Sequence, residues 1–323
     1  MNKTYIFYFF KNSKGILFKS NELDKYNIQT TNYIYKSTHI FCYNLKYLIL
    51  ASILFPFKKI VLYQEELTIC KLRKINFFRK ICVISGYTGD IYFNNYHFLG
   101  SYLSNESSNL GIDLNFKLNK SSIANEEKFN LKKQIIFIGK FQKSIKNNRK
   151  KNIYSLADLR FKRQKLAIKF MESGCGYVHG HGWKNSFKTP NSWHNGNRDW
   201  CKDKLEILKD FRFNLCFENT NWDYYVTEKI WHSILAGSLP VYWGNKTIYE
   251  SFPADSFVDA SEFKDDESLI KYVLNMDYQT WKNLMIKCID AYNSSIDESS
   301  KKKKFEESII KFRNKIDEYY NTA

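Results

Sequence analysis

The residues best suited to binding an anion lie between Asn214 and Gly244, in the stretch NLCFENTNWDYYVTEKIWHSILAGSLPVYWG. A polar turn begins at Glu218 and Asn219, and Lys229 follows it. The free N–H groups at a helix N-terminus, with an ammonium group beside them, attract phosphate oxygens. The pattern therefore predicts a diphosphate-binding site around this turn.

A strand, a helix and a second strand must position this turn. The apolar run ending at Phe217 predicts a buried strand, residues 227–236 an amphipathic helix and residues 239–243 another strand. Thr227 is the expected N-cap, and Gly237 is expected to end the helix in the left-handed conformation. In an open parallel sheet, ligands bind beyond the carboxyl ends of the strands, which is where the polar turn would lie.

Three segments of this stretch together resemble a known motif. The F-E-N turn, the Y-V-T-E-K-I helix start and the A-G-S-L-P-V-Y-W-G exit are similar, in order and spacing, to the donor-binding signature of the α-1,3-fucosyltransferases, glycosyltransferase family 10. The resemblance is clear over residues 134–263 and faint over residues 55–100. The alternative is an unrelated strand–helix–strand unit of another nucleotide-binding protein.

The resemblance implies an α/β fold of GT-B type, with two Rossmann-like domains facing each other across a cleft and a charged helix at the C-terminus. We predict an acceptor-binding α/β domain over residues 1–130, a domain binding the nucleotide-sugar donor over residues 131–298, and a basic amphipathic helix over residues 299–323. A chain of 323 residues is long enough for two such cores.

The net charge of +17 raises the question of a nucleic-acid partner. The excess is mostly lysine, and it accompanies abundant Asn, Ile, Tyr and Phe along the whole chain, which indicates a compositional bias. We therefore predict no nucleic-acid partner. Seven cysteines without regular spacing favour free thiols in a reducing compartment, and the chain start lacks a signal-peptide pattern. The expected location is cytoplasmic, without a transmembrane segment.

The resemblance assigns the donor contacts. Lys229 is the first candidate for stabilising the leaving diphosphate and Arg163 the second, with Arg160 as the competitor of Arg163 because the register there is uncertain. A separate sentence gives the positions that match the family's other donor contacts: Asn219, Tyr225 and Glu228. Glu228 is also expected to stabilise positive charge at the anomeric carbon. For Glu218, a donor contact and a structural role within the turn stay equally open.

The catalytic base is harder to assign. The family has a glutamate directly after an apolar strand, in a G-E-N context, and here the strand reads IVLYQEEL. Glu66 matches that glutamate, while Glu65 replaces the glycine. Glu66 is the predicted base and Glu65 the alternative, and both could equally lie at an exposed strand end.

Metal ligands receive little support from the sequence. Four residues lie close together but fit no strong zinc template: Cys175, His179, His181 and His194. The chain contains no Asp-x-Asp pair, which often holds a metal-bound nucleotide sugar. We predict no obligatory cofactor and no protein metal site, with Mn or Mg at most stimulating the reaction.

The C-terminal helix carries an apolar stripe, and four lysines stand near its start, at residues 301–304. Two interpretations are open: packing across the domains, or peripheral contact with an anionic membrane.

The sequence thus predicts an inverting transferase that moves fucose from GDP-fucose to a hydroxyl of an acceptor oligosaccharide or glycoconjugate, with O3 of N-acetylglucosamine as the family's usual acceptor atom. The alternatives are a GT-B enzyme with another nucleotide sugar and a non-catalytic nucleotide- or glycan-binding protein.

Overall fold

The protein is described here by a computed structural model that covers residues 3–9, 21–64, 82–85, 117–131, 133–142, 158–184 and 200–321. The chain divides into two compact units. The first comprises Met1–Glu106 with Glu298–Ala323, and the second comprises Ser107–Asp297.

The first unit contains a parallel sheet of five strands. Its strands are β1 (Thr4–Tyr8), β2 (Ile28–Thr30), β3 (His39–Cys42), β4 (Lys59–Gln64) and β5 (Cys82–Ser85). They pair in the order β2-β1-β3-β4-β5. Helix α1 (Leu45–Leu54) connects β3 to β4. The apolar patterns had predicted β3 and α1 with these same bounds.

The second unit contains another five-stranded parallel sheet. Its strands are β6 (Lys133–Ile138), β7 (Gly176–His179), β8 (Phe211–Leu215), β9 (Leu239–Tyr242) and β10 (Val258–Asp259). Its order is β10-β9-β8-β6-β7, which is the order of the first sheet read from the other side. Both units are therefore doubly wound, and in the second the winding direction reverses between β6 and β8.

Helices flank these strands. They are α2 (Lys120–Ile123), α3 (Glu126–Phe129), α4 (Arg160–Glu172), α5 (Trp200–Leu208), α6 (Glu228–Leu235), α7 (Asp266–Leu274), α8 (Tyr278–Ser295) and α9 (Glu298–Asn321), with short 3₁₀ helices at Asn21–Tyr26, Ile34–Lys36, Lys246–Glu250 and Ala260–Glu262. Gly237 has φ +73° and ends α6 in the left-handed conformation, as predicted. Gly180 follows β7, and a Cβ there would stand 2.4 Å from the carbonyl oxygen of Gly139, so only glycine fits.

The core of the first unit lies on both faces of its sheet, because successive strand residues point to opposite sides. Ile40 and Leu62 face α1, whereas Phe41 and Tyr63 belong to the cluster on the α9 side. The prediction that α1 is a buried helix holds for its inner face only, since its outer side chains are exposed.

The apolar stripe of α9 contributes to that second cluster. Ile309, Phe312 and Ile316 are each buried against the first sheet. The predicted membrane contact through this stripe is therefore wrong, because the side chains that would enter a bilayer are already covered. Over the described ranges, none of the helices combines the length and the apolar character that crossing a bilayer requires.

Candidate functional site

The polar turn after β8 lies where the winding of the second sheet reverses. Its loop is joined to the start of α4, because the backbone N–H of Leu159 donates to the carbonyl of Asn219 at 3.0 Å and Asp158 forms a bridge with Thr220. Helices α4 and α6 both follow strands at the carboxyl edge of the sheet. Their N-termini therefore stand beside the same turn.

Glu218 is the centre of a hydrogen-bonded cluster. Its carboxylate is fully buried, and it accepts the backbone N–H of Thr227 at 2.8 Å and the Thr227 hydroxyl at 2.7 Å. The ammonium of Lys229 donates to it at 3.1 Å. These contacts support the structural role that the sequence left open for Glu218, since its carboxylate ties the strand end to the start of α6.

Thr227 occupies the N-cap position of α6, but its hydroxyl makes no capping bond to the helix. The hydroxyl instead donates to Glu218 and accepts the Lys229 ammonium at 2.6 Å. The predicted cap is thus wrong in its chemistry, because the nearby buried carboxylate is a stronger acceptor for the hydroxyl proton. Free N–H groups at the start of α6 are left for another partner.

Lys229 is held as a permanent cation. Burial by itself lowers its pKa, but the carboxylates of Glu218 and Glu228 outweigh burial, so that the pKa lies above its ordinary value. Only 17% of its side chain is exposed. Lys229 is therefore protonated at neutral pH, where it can stabilise an anion and cannot serve as a base.

Glu228 lies between two lysines. Its carboxylate is 3.7 Å from the Lys229 ammonium and 3.8 Å from that of Lys204, a residue of α5 that the sequence analysis missed. The available signal was spacing: Lys204 precedes Ile207 and Leu208 by three and four residues, so it shares their buried face. A lysine on the inner face of a helix requires a partner, which Glu228 provides.

Arg163 is the buried cation on the other side of the turn, with 7% of its surface exposed. One terminal nitrogen donates to the carbonyl of Phe217 at 2.8 Å, and the other donates to the side-chain oxygen of Asn219 at 2.9 Å. Its Nε–H has no hydrogen-bond partner among the described residues. No described carboxylate lies within ion-pair distance of it, although burial is strong enough to lower its pKa. A buried guanidinium without a counter-ion is costly, and an anionic ligand would supply the missing charge.

Arg160, the competitor of Arg163 in the sequence analysis, has a different environment. Its Nε donates to the Asp158 carboxylate at 2.9 Å, and the pair is largely exposed. The structure thus brings Arg163 and not Arg160 to the polar turn.

Asn219 and Tyr225 adjoin Arg163. The amide nitrogen of Asn219 stands 3.5 Å from the Tyr225 hydroxyl, at the limit of a hydrogen bond, and Tyr225 is buried. The site therefore gathers three cations, Lys204, Lys229 and Arg163, and two carboxylates, Glu218 and Glu228. One positive charge is in excess, and the N-terminus of α6 adds to it.

Two predictions concern residues beyond the described ranges. Glu65 and Glu66 follow the last residue of β4, Gln64, and both lie outside the described residues. His194 of the four-residue metal pattern also lies outside them. In the ranges that are described, no group of three or more His, Cys, Asp or Glu residues could hold a metal ion.

The two doubly wound sheets define a GT-B-like α/β fold. Residues 191–285 match the sequence model of the family described as glycosyltransferase family 10 (fucosyltransferase), C-terminal region. The resemblance predicted from the F-E-N and Y-V-T-E-K-I segments is confirmed, because the matched range includes both.

Two relatives and one solved structure illustrate the similarity. An α-(1,3)-fucosyltransferase of Helicobacter pylori is 42% identical over 72 residues, and a fucosyltransferase-like protein of Arabidopsis thaliana is 49% identical over 76 residues. These matches cover 22% and 23% of this chain and 15% of each relative. A crystal structure of an α1,3-fucosyltransferase aligns over 98% of this chain and 90% of its own, with a TM-score of 0.52 and 16% identity, and it supports the fold.

Proposed function

We propose that this protein is a fucosyltransferase that transfers fucose from GDP-fucose to an acceptor glycan, with inversion at the anomeric carbon. The proposed acceptor atom is O3 of N-acetylglucosamine in a lactosamine-type unit. The donor and acceptor follow from the family resemblance, and the cytoplasmic location stays a prediction from the cysteine content.

The observation that carries this proposal is the buried guanidinium of Arg163, which lacks a carboxylate partner among the described residues and still has N–H groups to donate. A diphosphate offers two or more negative charges and oxygens that match the planar fork of arginine. Glu218 and Lys229 already neutralise each other, so Arg163 is the cation with the most to gain from the donor.

The start of α6 supports the same assignment. Because the Thr227 hydroxyl is engaged with Glu218 and Lys229, it leaves the helix N–H groups uncapped. Uncapped N–H groups at a helix N-terminus bind phosphate oxygens, and Lys229 stands beside them. This segment lies inside the range that matches the fucosyltransferase family.

The proposed reaction is a single displacement. The acceptor oxygen attacks the anomeric carbon of fucose from the face opposite the diphosphate, and a new C–O bond forms. The bond from the anomeric carbon to the β-phosphate oxygen breaks, and its electron pair leaves with GDP. Arg163 and Lys229 stabilise the charge that develops on this oxygen, which lowers the barrier because they are already in place.

The hydroxyl proton passes to a carboxylate, for which we propose Glu66, with Glu65 as the alternative. Glu228 is proposed to bind donor hydroxyls and to stabilise the oxocarbenium-like charge. Lys204 and Lys229 keep Glu228 ionised, since both ammonium groups lie within 4 Å of its carboxylate. No metal is required by this scheme, and Mn or Mg would act at most as an activator.

The test combines binding and turnover. Binding is measured as a melting shift with GDP-fucose, GDP-mannose, UDP-galactose and UDP-N-acetylglucosamine, each with and without EDTA. A ligand at a hundredfold excess over its Kd adds about 2.7 kcal/mol to the free energy of unfolding. Turnover is measured as GDP release with N-acetyllactosamine, and NMR of the product gives the linkage and the anomeric configuration.

The expected result is a GDP-fucose shift that survives EDTA, with an inverted product linked at O3. A shift with a UDP-sugar alone would replace the donor, and donor binding without turnover over a panel of acceptors would indicate a binding protein. A product with retained configuration would refute the single displacement.

A further inference from the structure

The outer surface of α1 is apolar although it faces solvent. Leu48 and Ala51 pack inward on the first sheet. Four aliphatic side chains on the opposite side are exposed by 36–62%: Ile49, Leu50, Ile53 and Leu54. Phe57, in the turn after the helix, is 99% exposed. Ile49, Ile53 and Phe57 are spaced by four residues, so the first two lie along one face that points toward the third.

A pair of tyrosines extends this surface. The rings of Tyr33 and Tyr35 lie 5.6 Å apart and both are exposed, with the Lys36 ammonium 5.1 Å from the Tyr33 ring centre. The ammonium of Lys58, next to Phe57, donates to the backbone carbonyl of Tyr35 at 3.4 Å. The tyrosines and the end of α1 are therefore neighbours. We call the outer face of α1 together with Tyr33, Tyr35 and Phe57 the α1 surface.

This concentration is specific to one part of the described structure. Nine large hydrophobic side chains are exposed among the described residues, and seven of them belong to the α1 surface. The two others are Tyr272 and Ile310. Scattered exposed apolar residues need no explanation, but a contiguous patch indicates an interaction surface.

The charge around the patch has a single sign. Residues 25–64 contain five lysines and no arginine, aspartate or glutamate. Lys36, Lys46 and Lys59 are exposed around the α1 surface. Lysine is depleted at protein–protein interfaces, whereas apolar side chains with tyrosine and lysine at their margin are typical of the interface between water and an anionic bilayer.

We propose that the α1 surface docks the protein on an anionic lipid bilayer. Phe57, Ile53 and their aliphatic neighbours enter the region between headgroups and acyl chains. The tyrosines lie at headgroup level, and the lysines contact lipid phosphates. The proposal is independent of the transferase activity, because it concerns residues of the first unit that the candidate site does not use.

The experiment is sedimentation of the full chain with lipid vesicles, either of phosphatidylcholine alone or with one third phosphatidylglycerol. We expect binding to the anionic vesicles to be stronger by about tenfold or more, and to weaken as salt is raised, since exposed charges are screened. Ile53→Ser/Phe57→Ser is expected to lower the partition coefficient about tenfold or more. Because both side chains are exposed, melting temperatures should stay unchanged.

Two controls match these variants. Ile310→Ser removes a side chain of α9 that is 48% exposed, and it should leave vesicle binding within about twofold of the original protein. Lys36→Glu/Lys46→Glu should reduce binding to anionic vesicles only, whereas Lys302→Glu/Lys303→Glu, on exposed positions of α9, should have a smaller effect.

Three results would overturn the proposal. The first is equal binding of the original protein and Ile53→Ser/Phe57→Ser to anionic vesicles. The second is a loss in Lys302→Glu/Lys303→Glu as large as that in Lys36→Glu/Lys46→Glu, which would move the contact to α9. The third is a concentration-dependent dimer in sedimentation velocity that Phe57→Ser dissociates, which would make the α1 surface a contact between copies of the chain.

Discussion

Each unit of this protein buries one arginine among its described residues, and the two arginines have different partners. In the first unit, Arg313 on α9 forms an ion pair with Asp317 at 3.0 Å and donates to Thr4 at 2.6 Å. In the second unit, Arg163 contacts only a carbonyl, an amide oxygen and the Phe137 ring among the described residues. An arginine with a carboxylate partner stabilises the fold, whereas one without is available to an anionic ligand.

The units also differ in where their unusual residues lie, although both sheets have the same strand order. The second gathers buried charges at the carboxyl edge of its sheet, and the first exposes an apolar surface on α1. Topology determines which loops meet, and the side chains on those loops and helices determine what each unit can bind. The predictions below test this difference.

The largest effect is expected where the first unit would contribute to the chemistry. Glu66→Gln removes the proposed base and should lower kcat by about 10²–10⁴-fold, because the acceptor proton then has no acceptor of suitable pKa. Donor binding, measured by thermal shift, should be retained. Glu65→Gln is the matched control and should keep most of the activity; the reverse pattern would transfer the role to Glu65.

The second prediction concerns the buried charges of the second unit. Glu218→Ala leaves the Lys229 ammonium without its buried partner and should lower the free energy of unfolding by about 3 kcal/mol or more. Glu262→Ala removes an exposed partner of Lys246 and should cost about 1 kcal/mol or less. Urea unfolding followed by tryptophan fluorescence reports this unit alone, because all seven tryptophans lie within it. Equal costs for the two variants would contradict the central role of Glu218.

The third prediction separates the two buried arginines. Arg163→Lys keeps the positive charge but loses the planar fork, and it should lower kcat/KM for GDP-fucose about 100-fold. Arg160→Lys is the neighbouring control and should stay within about twofold. Arg313→Lys should reduce stability and leave kcat/KM nearly unchanged, since its partners are internal. A fall in kcat/KM for Arg313→Lys as large as that for Arg163→Lys would end the distinction between them.

The smallest effect is a pH dependence of the first unit. Burial, aided by the charges of Lys59 and Arg313, lowers the pKa of His39 from 6.5 to about 3. The unfolded chain therefore binds a proton between these values and the folded chain does not. The stabilising contribution of neutral His39 is complete above pH 6.5 and declines as the pH falls toward 3, by at most about 1.4 kcal/mol per pH unit.

The measurement for this prediction is amide hydrogen exchange in β3 and β4 at several pH values, corrected for the intrinsic exchange rate. His39→Gln should flatten the pH dependence of the opening free energy between pH 6.5 and 4. An unchanged dependence in His39→Gln would assign the acid sensitivity of this unit to another group.

Much of the fold was predictable because short-range patterns carried it. The apolar runs predicted β3 and α1 at their observed bounds, and Gly237 predicted the end of α6. The family resemblance was equally local, since it rested on the order and spacing of residues within one strand–helix–strand unit. These features depend on side-chain periodicity and backbone freedom, which neighbouring residues largely determine.

Partners that are distant in the chain were not predictable. Lys204 approaches Glu228 from another helix, and the Thr227 hydroxyl prefers the Glu218 carboxylate to the helix backbone that it was expected to cap. The choice between Arg160 and Arg163 likewise depended on which side chain turns toward the loop after β8. Each case is a competition between partners, and only the packed structure shows which of them are within reach.

The sequence by itself determined the doubly wound α/β pattern, the anion-binding character of the turn after β8 and the resemblance to family 10 fucosyltransferases, because residues close together in the chain carry all three. The tertiary structure alone decided that Arg163 is a buried cation without a carboxylate partner among the described residues, that the stripe of α9 is covered and that the outer face of α1 is not. Burial and ion pairing are properties of the surroundings, and the surroundings of a side chain are assembled from distant parts of the chain.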